Sequence, residues 1–172
     1  MDQNIRDLIP HALAEDLGSG DVTSEATIRP ESVSMAVMLA KQDLVLAGIN
    51  VAATVFHHLD PDIRFTPFVK DGDHVNAGTE IAKLSGNTMA LLAGERTALN
   101  LLQHLSGIAT LTTKYVEAIK GLKAEALDTR KTLPGASEPT GARPNAARRD
   151  EAARRSRPSP AAASVTTSAP RE

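Results

Sequence analysis

Apolar residues recur three and four positions apart in the first stretch of the chain. These residues are Ile5, Leu8, Ile9, Ala12 and Leu13. The spacing predicts an amphipathic helix over residues 3–16. A glycine-containing turn at 16–21 ends this helix, and Thr23 or Ser24 is a candidate N-cap for a short second helix.

Further along, the apolar pattern shortens to one typical of strands. Strands are predicted at residues 33–41, 44–47, 64–69, 81–84 and 88–92. Gly48 precedes a helical stretch from Ile49 to Leu59, and a tight turn lies at 71–73. A helix, two strands, a helix and then a run of strands predict an α+β layer rather than a doubly wound sheet.

From Ala93 the period becomes helical again. The predicted buried stripe is Leu99, Leu102, Leu105 and Ile108, and the opposite polar face is Arg96, Asn100 and Gln103. Gly107 predicts a break, after which a second helix runs from Thr110 to Lys120 and a strand leads into Asp128.

A cationic turn follows that last strand. It presents Thr129, Arg130 and Lys131 before Pro134 and Gly135 stop any regular element. Arginine binds a carboxylate or phosphate through two parallel hydrogen bonds, and lysine adds a compact charge. The turn is therefore a candidate anion site. A helix followed by a strand with charged residues at its end also predicts the start of an α/β barrel, although one strand cannot close a barrel.

The composition changes at residue 136. From there to residue 172 the chain has no Leu, Ile, Met or aromatic residue, and it carries seven arginines against four acids. Such a segment buries too little apolar area to offset the entropy of ordering, so we expect a disordered Ala/Arg/Pro-rich tail. The scattered arginines, without lysine or aromatic residues to stack on bases, argue against nucleic-acid binding.

Other features of the composition narrow the class of protein. There is no cysteine, which excludes a disulfide scaffold and fits a reducing compartment. No apolar run reaches the length of a membrane helix, and the acidic start of the chain does not look like a signal peptide. We expect a cytoplasmic protein without a membrane partner.

Four motifs resemble those of a known family of enzymes. They are Glu15-Asp16-Leu17-Gly18-Ser19-Gly20-Asp21-Val22-Thr23-Ser24, Val69-Lys70-Asp71-Gly72-Asp73-His74-Val75, the stretch from Ala93-Gly94-Glu95-Arg96-Thr97 to Gly107-Ile108-Ala109-Thr110, and Asp128-Thr129-Arg130-Lys131-Thr132. Together they resemble quinolinate phosphoribosyltransferase (nicotinate-nucleotide pyrophosphorylase, carboxylating) over residues 1–135. The resemblance implies an open α/β sandwich domain at 1–109 and the start of an incomplete α/β barrel at 110–135. The tail at 136–172 lies beyond the resemblance.

The resemblance also implies a reaction. Quinolinate attacks phosphoribosyl pyrophosphate, and nicotinate mononucleotide, pyrophosphate and carbon dioxide are released in the de novo synthesis of NAD. Mg²⁺ would accompany the pyrophosphate, and the active site would be shared between the subunits of a homodimer. Arg96 would reach a quinolinate carboxylate, while Thr129, Arg130 and Lys131 would hold substrate anions on the barrel side.

The likeness to the family stops at Gly135, where the family continues Leu-Arg-Ala. Codons for residues 135–139, read two bases out of phase, can spell that continuation, so we expect a frameshift near residue 135. The later barrel strands of the family carry further phosphate- and magnesium-binding groups, and nothing after Gly135 matches them. We therefore expect little or no turnover by this chain alone, and its catalytic residues stay unassigned.

Two alternative functions remain open on the sequence. The stretch 71–82 echoes a biotinyl or lipoyl hairpin, with Lys41 as a distant candidate acceptor. A non-catalytic fragment that only dimerises is the other, with the leucine stripe around Leu102 as its adhesive surface. His57, His58 and His74 lack carboxylates at metal-ligand spacing and are read as surface residues, and His104 as a packing or dimer-contact residue.

Overall fold

The computed structural model describes residues 3–18, 20, 22–122, 124, 126 and 163–168, with backbone alone for 3–5, 22–23 and 163–168. The helices are α1 (Gln3–Leu17), α2 (Val22–Thr27), α3 (Ile49–Leu59) and α4 (Thr88–Ala118). The strands are β1 (Val33–Ala40), β2 (Leu44–Val45), β3 (Arg64–Pro67), β4 (His74–Val75), β5 (Glu80–Asn87) and β6 (Ala163–Ser168). Helices and antiparallel strands together confirm the α+β class.

The sheet forms one layer of the fold, in the order β3-β5-β1-β6 with every neighbouring pair antiparallel. On β1 every second residue is buried, and these are Ser34, Ala36, Met38 and Ala40. Since successive side chains of a strand point to opposite faces, one face of the sheet is directed into the core. A separate two-stranded ladder joins β2 to β4.

The helices cover the inner side of this sheet. On α4 the predicted stripe is buried at Leu99, Leu102 and Leu105, and Ile108 is half-buried. Phe56 of α3 is fully buried and its ring lies 6.2 Å from that of Phe65 on β3. The helix packing therefore confirms the apolar pattern that the sequence showed over this region.

The first turn of α4 corrects one prediction, because residues 88–92 are helical rather than a strand. The Asn87 Oδ1 accepts a hydrogen bond from the Ala90 N–H at 3.1 Å, which caps the helix. The Asn87 Nδ2 also donates to the Pro30 carbonyl at 2.6 Å. The Asn87 side chain, hydrogen-bonded through both its oxygen and its nitrogen, sets the start of α4. A short apolar run in the sequence does not reveal such contacts.

The predicted break at Gly107 is also wrong, since α4 is one helix of 31 residues. Its side chains bind the backbone of β2 and of the residues just after it. The Val45 N–H donates to the Thr110 Oγ1 at 2.8 Å and the Ala47 N–H donates to the Ser106 Oγ at 3.1 Å. The Ser106 hydroxyl donates back to the Ala47 carbonyl at 3.2 Å. These tertiary bonds and the burial of Gly107 outweigh the low helix propensity of glycine.

Smaller differences concern the ends of elements. Helix α1 confirms the predicted amphipathic helix and extends it to Leu17. Helix α2 begins at Val22, so Thr23 and Ser24 lie inside it and neither is its N-cap. The boundary predicted between the two domains at 109/110 falls within α4, and the division into domains stays a prediction.

Strand β6 corrects the expectation of disorder for part of the tail. Its backbone pairs with β1 in continuous register from Met35–Ser168 to Ala40–Ala163. The average composition of residues 136–172 hides a run with β-branched Val165, Thr166 and Thr167, which favour strands. The remaining tail, and most of the strand predicted before Asp128, lie outside the described residues.

The fold argues against the residues predicted to serve the two alternative functions, while dimerisation through another surface stays a prediction. Leu99, Leu102 and Leu105 are buried within the chain itself, so they cannot form an adhesive dimer surface. Lys41 follows β1, and β1 and β2 lie in different sheets, so Lys41 is not at the tip of a hairpin as a carrier lysine would be.

Candidate functional site

Arg96 is the predicted site residue that the structure describes. It lies on the polar face of α4, and its Nη1 is 2.9 Å from the Oδ1 of Asp16 near the end of α1. No other hydrogen-bond partner of this guanidinium is found among the described residues. The remaining N–H groups of the Arg96 fork are thus available to a carboxylate ligand.

The two partners of this ion pair differ in exposure. The Arg96 side chain is 74% exposed, whereas that of Asp16 is 16% exposed. The Arg96 guanidinium therefore faces solvent, while the Asp16 carboxylate that pairs with it is largely buried. An exposed arginine carries a full charge on a flexible stem, so the contact with Asp16 restricts where that charge is presented.

Thr97 adds a second contact to Asp16. Its Oγ1 donates to the Asp16 Oδ2 at 3.1 Å, and the residue is 4% exposed. Each oxygen of the carboxylate therefore has its own donor, one from Arg96 and one from Thr97. This arrangement fixes the orientation of the carboxylate plane between α1 and α4.

The polar face of α4 continues along the helix beyond Arg96. Asn100 and His104 are exposed and follow at successive intervals of four residues, so their side chains lie along one side of the helix. The structure agrees with the sequence on the position of this face. His104 lies on it, and its role as a dimer contact stays a prediction.

Thr129, Arg130 and Lys131 lie outside the described residues. Their convergence with Arg96 on one anion is therefore a prediction that the structure does not test. The described part of the proposed site consists of Arg96 together with Asp16 and Thr97.

Asp71, in the turn before β4, has a structural role. Its Oδ1 accepts a hydrogen bond from the Ile49 N–H at 2.9 Å and so caps α3. The residue before the helix, Gly48, has a φ of 94° and no side chain to cap with. The pKa of Asp71 is raised because burial disfavours its charged form. Hydrogen bonds from the backbone N–H groups of Ile49 and Gly48 offset only part of this shift.

The described residues contain no group of three His, Asp or Glu side chains that could hold a metal ion. His57 and His74 are exposed, as predicted. The His57 Nε2 lies 2.9 Å from the Ile63 carbonyl, which gives this ring a local hydrogen-bonding role.

Sequence reasoning missed Asp16 and Thr97 as parts of the site. Both lie in motifs that carry the family resemblance, but the eighty positions between Asp16 and Arg96 conceal their contact. Only the packing of α1 against α4 brings them together.

Comparison with known proteins identifies the family. The model of the quinolinate phosphoribosyl transferase N-terminal domain matches residues 21–106. The chain belongs to this family. The matched range includes Arg96 and Thr97, so both residues lie within the domain that defines the family.

Individual relatives support the same assignment. The chain is 44% identical over 123 residues to a probable nicotinate-nucleotide pyrophosphorylase (carboxylating) of Synechocystis, covering 72% of this chain and 41% of that protein. It is 43% identical over 133 residues to the chloroplastic nicotinate-nucleotide pyrophosphorylase (carboxylating) of Arabidopsis thaliana, covering 77% and 38%. The chain thus spans about two fifths of the length of these relatives.

A solved structure shows the same fold. NadC from Streptococcus pyogenes superposes with a TM-score of 0.72 at 39% identity, over 76% of this chain and 46% of that one. This match confirms the α+β architecture of the N-terminal domain. In the part of the chain that the structure describes, no helix has both the length and the apolarity needed to span a membrane.

Proposed function

We propose that this chain serves the quinolinate phosphoribosyltransferase reaction, with Arg96 binding a carboxylate of quinolinate. The observation that carries the proposal is the exposed guanidinium of Arg96, held on α4 within the matched domain. Quinolinate and phosphoribosyl pyrophosphate react to nicotinate mononucleotide, pyrophosphate and carbon dioxide, a step in NAD synthesis.

The chemistry of the substrates supports this role for Arg96. Quinolinate carries two adjacent carboxylates, and a planar guanidinium fork matches one carboxylate through two parallel hydrogen bonds. Residues 1–135 carry a net charge of −5, because the whole chain is at −2 and the tail contributes +3. Attraction of an anion therefore depends on locally concentrated cations.

A shared site in a homodimer explains how separate cations meet. In this proposal Arg96 of one subunit faces the turn of Thr129, Arg130 and Lys131 on the other. The exposed position of Arg96 supports the proposal, because an arginine directed away from its own core can reach a neighbouring chain.

Mg²⁺ enters the proposal with phosphoribosyl pyrophosphate. The described residues do not fit a resident magnesium site, since no trio of acidic or histidine side chains gathers among them. Pyrophosphate oxygens are themselves good magnesium ligands. We assign no step of the reaction to the metal through residues of this chain.

The extent of the chain limits the activity we expect of it. It spans about two fifths of the relatives' length, and phosphoribosyl transfer needs charge stabilisation around both the ribose and the pyrophosphate. We propose that the chain binds quinolinate but turns it over slowly or not at all. A cytoplasmic location stays a prediction, since the relatives include proteins named chloroplastic and proteins named mitochondrial.

Quinolinate binding to the full chain tests the proposal by titration calorimetry. Replacing Arg96 by Gln should weaken binding by roughly tenfold or more, since hydrogen bonds to charged groups contribute about 1.5–3 kcal/mol. Arg29→Gln is the matched control, because Arg29 is also exposed and in an ion pair, with Glu31 at 4.0 Å. Equal affinities of Arg96→Gln and the unsubstituted chain, or no binding by either, would contradict the proposal.

A further inference from the structure

We propose that Asp16 is a positioning residue, which holds the Arg96 guanidinium in the orientation that receives the substrate carboxylate. The inference rests on the proposed function of Arg96 and adds a residue that the sequence had not marked. Its basis is the cluster formed by Asp16, Arg96 and Thr97 where the end of α1 crosses α4.

The geometry of the carboxylate suits this role. Asp16 uses Oδ1 for Arg96 at 2.9 Å and Oδ2 for Thr97 at 3.1 Å. A carboxylate held at both oxygens cannot rotate without losing one hydrogen bond. The direction in which it holds the guanidinium is therefore set by the packing of Thr97, which is 4% exposed.

The helix that carries Asp16 is itself anchored. Ile9 and Leu13 of α1 are 1% and 4% exposed and belong to the core, and Leu17 packs against that core. Because Asp16 lies between Leu13 and Leu17 on this helix, its backbone position is fixed relative to α4. Asp16, held by the packing of α1 on the core, thus restrains the exposed guanidinium of Arg96.

Orienting the cation has a direct consequence for binding. A free arginine side chain samples many rotamers and loses that freedom when a ligand is bound. Asp16 contacts only Nη1 among the three guanidinium nitrogens. It restricts the side chain in advance and leaves the other nitrogens for the ligand, which is preorganisation.

A different role for Asp16 makes the opposite prediction. If Asp16 were merely a counter-ion that quinolinate must displace, neutralising it would tighten binding of this dianion. If Asp16 positions Arg96, removing it loosens binding even though a negative charge disappears. The sign of the change in affinity therefore separates the two roles.

The test uses the full chain with quinolinate as the probe. Calorimetry measures the affinity, and the Arg96 Nε–H signal in ¹H–¹⁵N NMR spectra reports the order of the side chain. Asp16→Ala should weaken binding roughly three- to tenfold, because binding must then order an arginine side chain that is no longer held in advance. Asp16→Asn keeps an oxygen acceptor for Arg96 and should lose less. Thr97→Val removes only the hydrogen bond to the Asp16 Oδ2 and should also weaken binding.

Glu15→Gln is the matched control. Glu15 is exposed and adjacent to Asp16 on α1, so its substitution removes the same charge at a similar place without touching the cluster. It should leave the affinity unchanged or raise it slightly. The Arg96 Nε–H signal should be distinct in the unsubstituted chain and in Glu15→Gln, and should merge with those of mobile arginines in Asp16→Ala.

A double-mutant cycle distinguishes this inference from the proposed function. In the Arg96→Gln background, Asp16→Ala should cause no further loss, because Asp16 acts through Arg96. Arg96-dependent binding that Asp16→Ala, Asp16→Asn and Thr97→Val all leave unchanged or tighten would overturn the positioning role alone. Binding that does not depend on Arg96 would overturn the proposed function.

Discussion

At the scale of single residues, two aspartates show how the same side chain acquires different roles from its surroundings. Asp16, on α1, forms an ion pair with the exposed guanidinium of Arg96. Asp71 accepts the Ile49 N–H and caps a helix whose own preceding residue is a glycine. Both belong to motifs that resemble the family, yet only Asp16 faces a group suited to binding an anion.

Asp71 predicts a pH dependence of stability. Burial raises its pKa in the folded protein above the ordinary value of 3.8. A raised folded pKa means that the folded state retains the proton longer than the unfolded state. The resulting stabilisation is complete below the unfolded pKa and is lost as the pH rises through the folded pKa.

Asp71→Asn removes this titration and keeps an oxygen that can accept from Ile49. We expect the free energy of unfolding of Asp71→Asn, relative to the unsubstituted chain, to increase as the pH rises above 3.8. Urea unfolding followed by circular dichroism from pH 4 upward measures it. Asp62→Asn, at an exposed position, is the control. A difference in the free energy of unfolding between Asp71→Asn and the unsubstituted chain that does not change with pH would contradict the expectation.

Asp71→Ala isolates the capping contribution. It removes both the carboxylate charge and the acceptor of the Ile49 N–H, so α3 loses a cap worth about 1 kcal/mol. The comparison of Ala with Asn at this position therefore separates the hydrogen bond from the buried charge. Equal stability of the two variants at neutral pH would contradict the capping role.

At the scale of elements, α4 organises the fold because it contacts helices and strands from several separate parts of the chain. It packs on α3, reaches α1 and lies against the strands. Its Thr110 and Ser106 hydroxyls accept hydrogen bonds from the backbone N–H groups of Val45 in β2 and of Ala47 just after it. The length of this helix follows from those contacts more than from local helix propensity.

At Gly94, α4 packs directly against side chains of α3. A Cβ at this position would lie 2.9 Å from two ring carbons of Phe56 and 3.0 Å from the Leu59 Cδ1. Phe56 is fully buried and cannot move aside without disturbing the core. The absence of a side chain at Gly94 thus allows the two helices to pack.

Gly94→Ala sets helix propensity against packing. Alanine gains about 1 kcal/mol of helix propensity, whereas overpacking a core costs about 1–3 kcal/mol. We expect net destabilisation and a lower Tm, measured by thermal unfolding. Asn100→Ala on the exposed face of the same helix should raise the Tm slightly, and a raised Tm for Gly94→Ala would show that the interface adapts.

At the scale of the whole molecule, the sheet is completed by a distant part of the chain. Strand β6 lies along β1, and without it β1 would be an edge of the sheet in the described structure. Val33 and Met35 of β1 are 63% and 45% exposed on the outer face. An apolar strand with unpaired backbone groups favours self-association.

Removing β6 should therefore change the association state. A chain that ends at residue 162 should form larger species than the full chain as its concentration rises, measured by light scattering after size exclusion. A chain that ends at Ser168 keeps the strand and serves as the control. Identical molar masses for both shortened chains across the concentration range would show that β6 does not protect β1.

The sequence predicted much of the fold where the apolar period was long. The stripe of Leu99, Leu102 and Leu105, the helix before Gly18 and the strand from Val33 were all confirmed. The failures lie where a short run or one glycine was interpreted locally. Residues 88–92 and Gly107 became helical because tertiary hydrogen bonds and burial outweighed local preference.

By itself, the sequence determined the class of fold, the family resemblance and the polar face that carries Arg96, because each of these depends on periodicity or on contiguous motifs. The tertiary structure alone decided that Asp16 and Thr97 meet Arg96, that Asp71 caps α3 and that β6 pairs with β1. Those contacts join residues far apart along the chain. Their formation depends on the packing of the core, which no local pattern encodes.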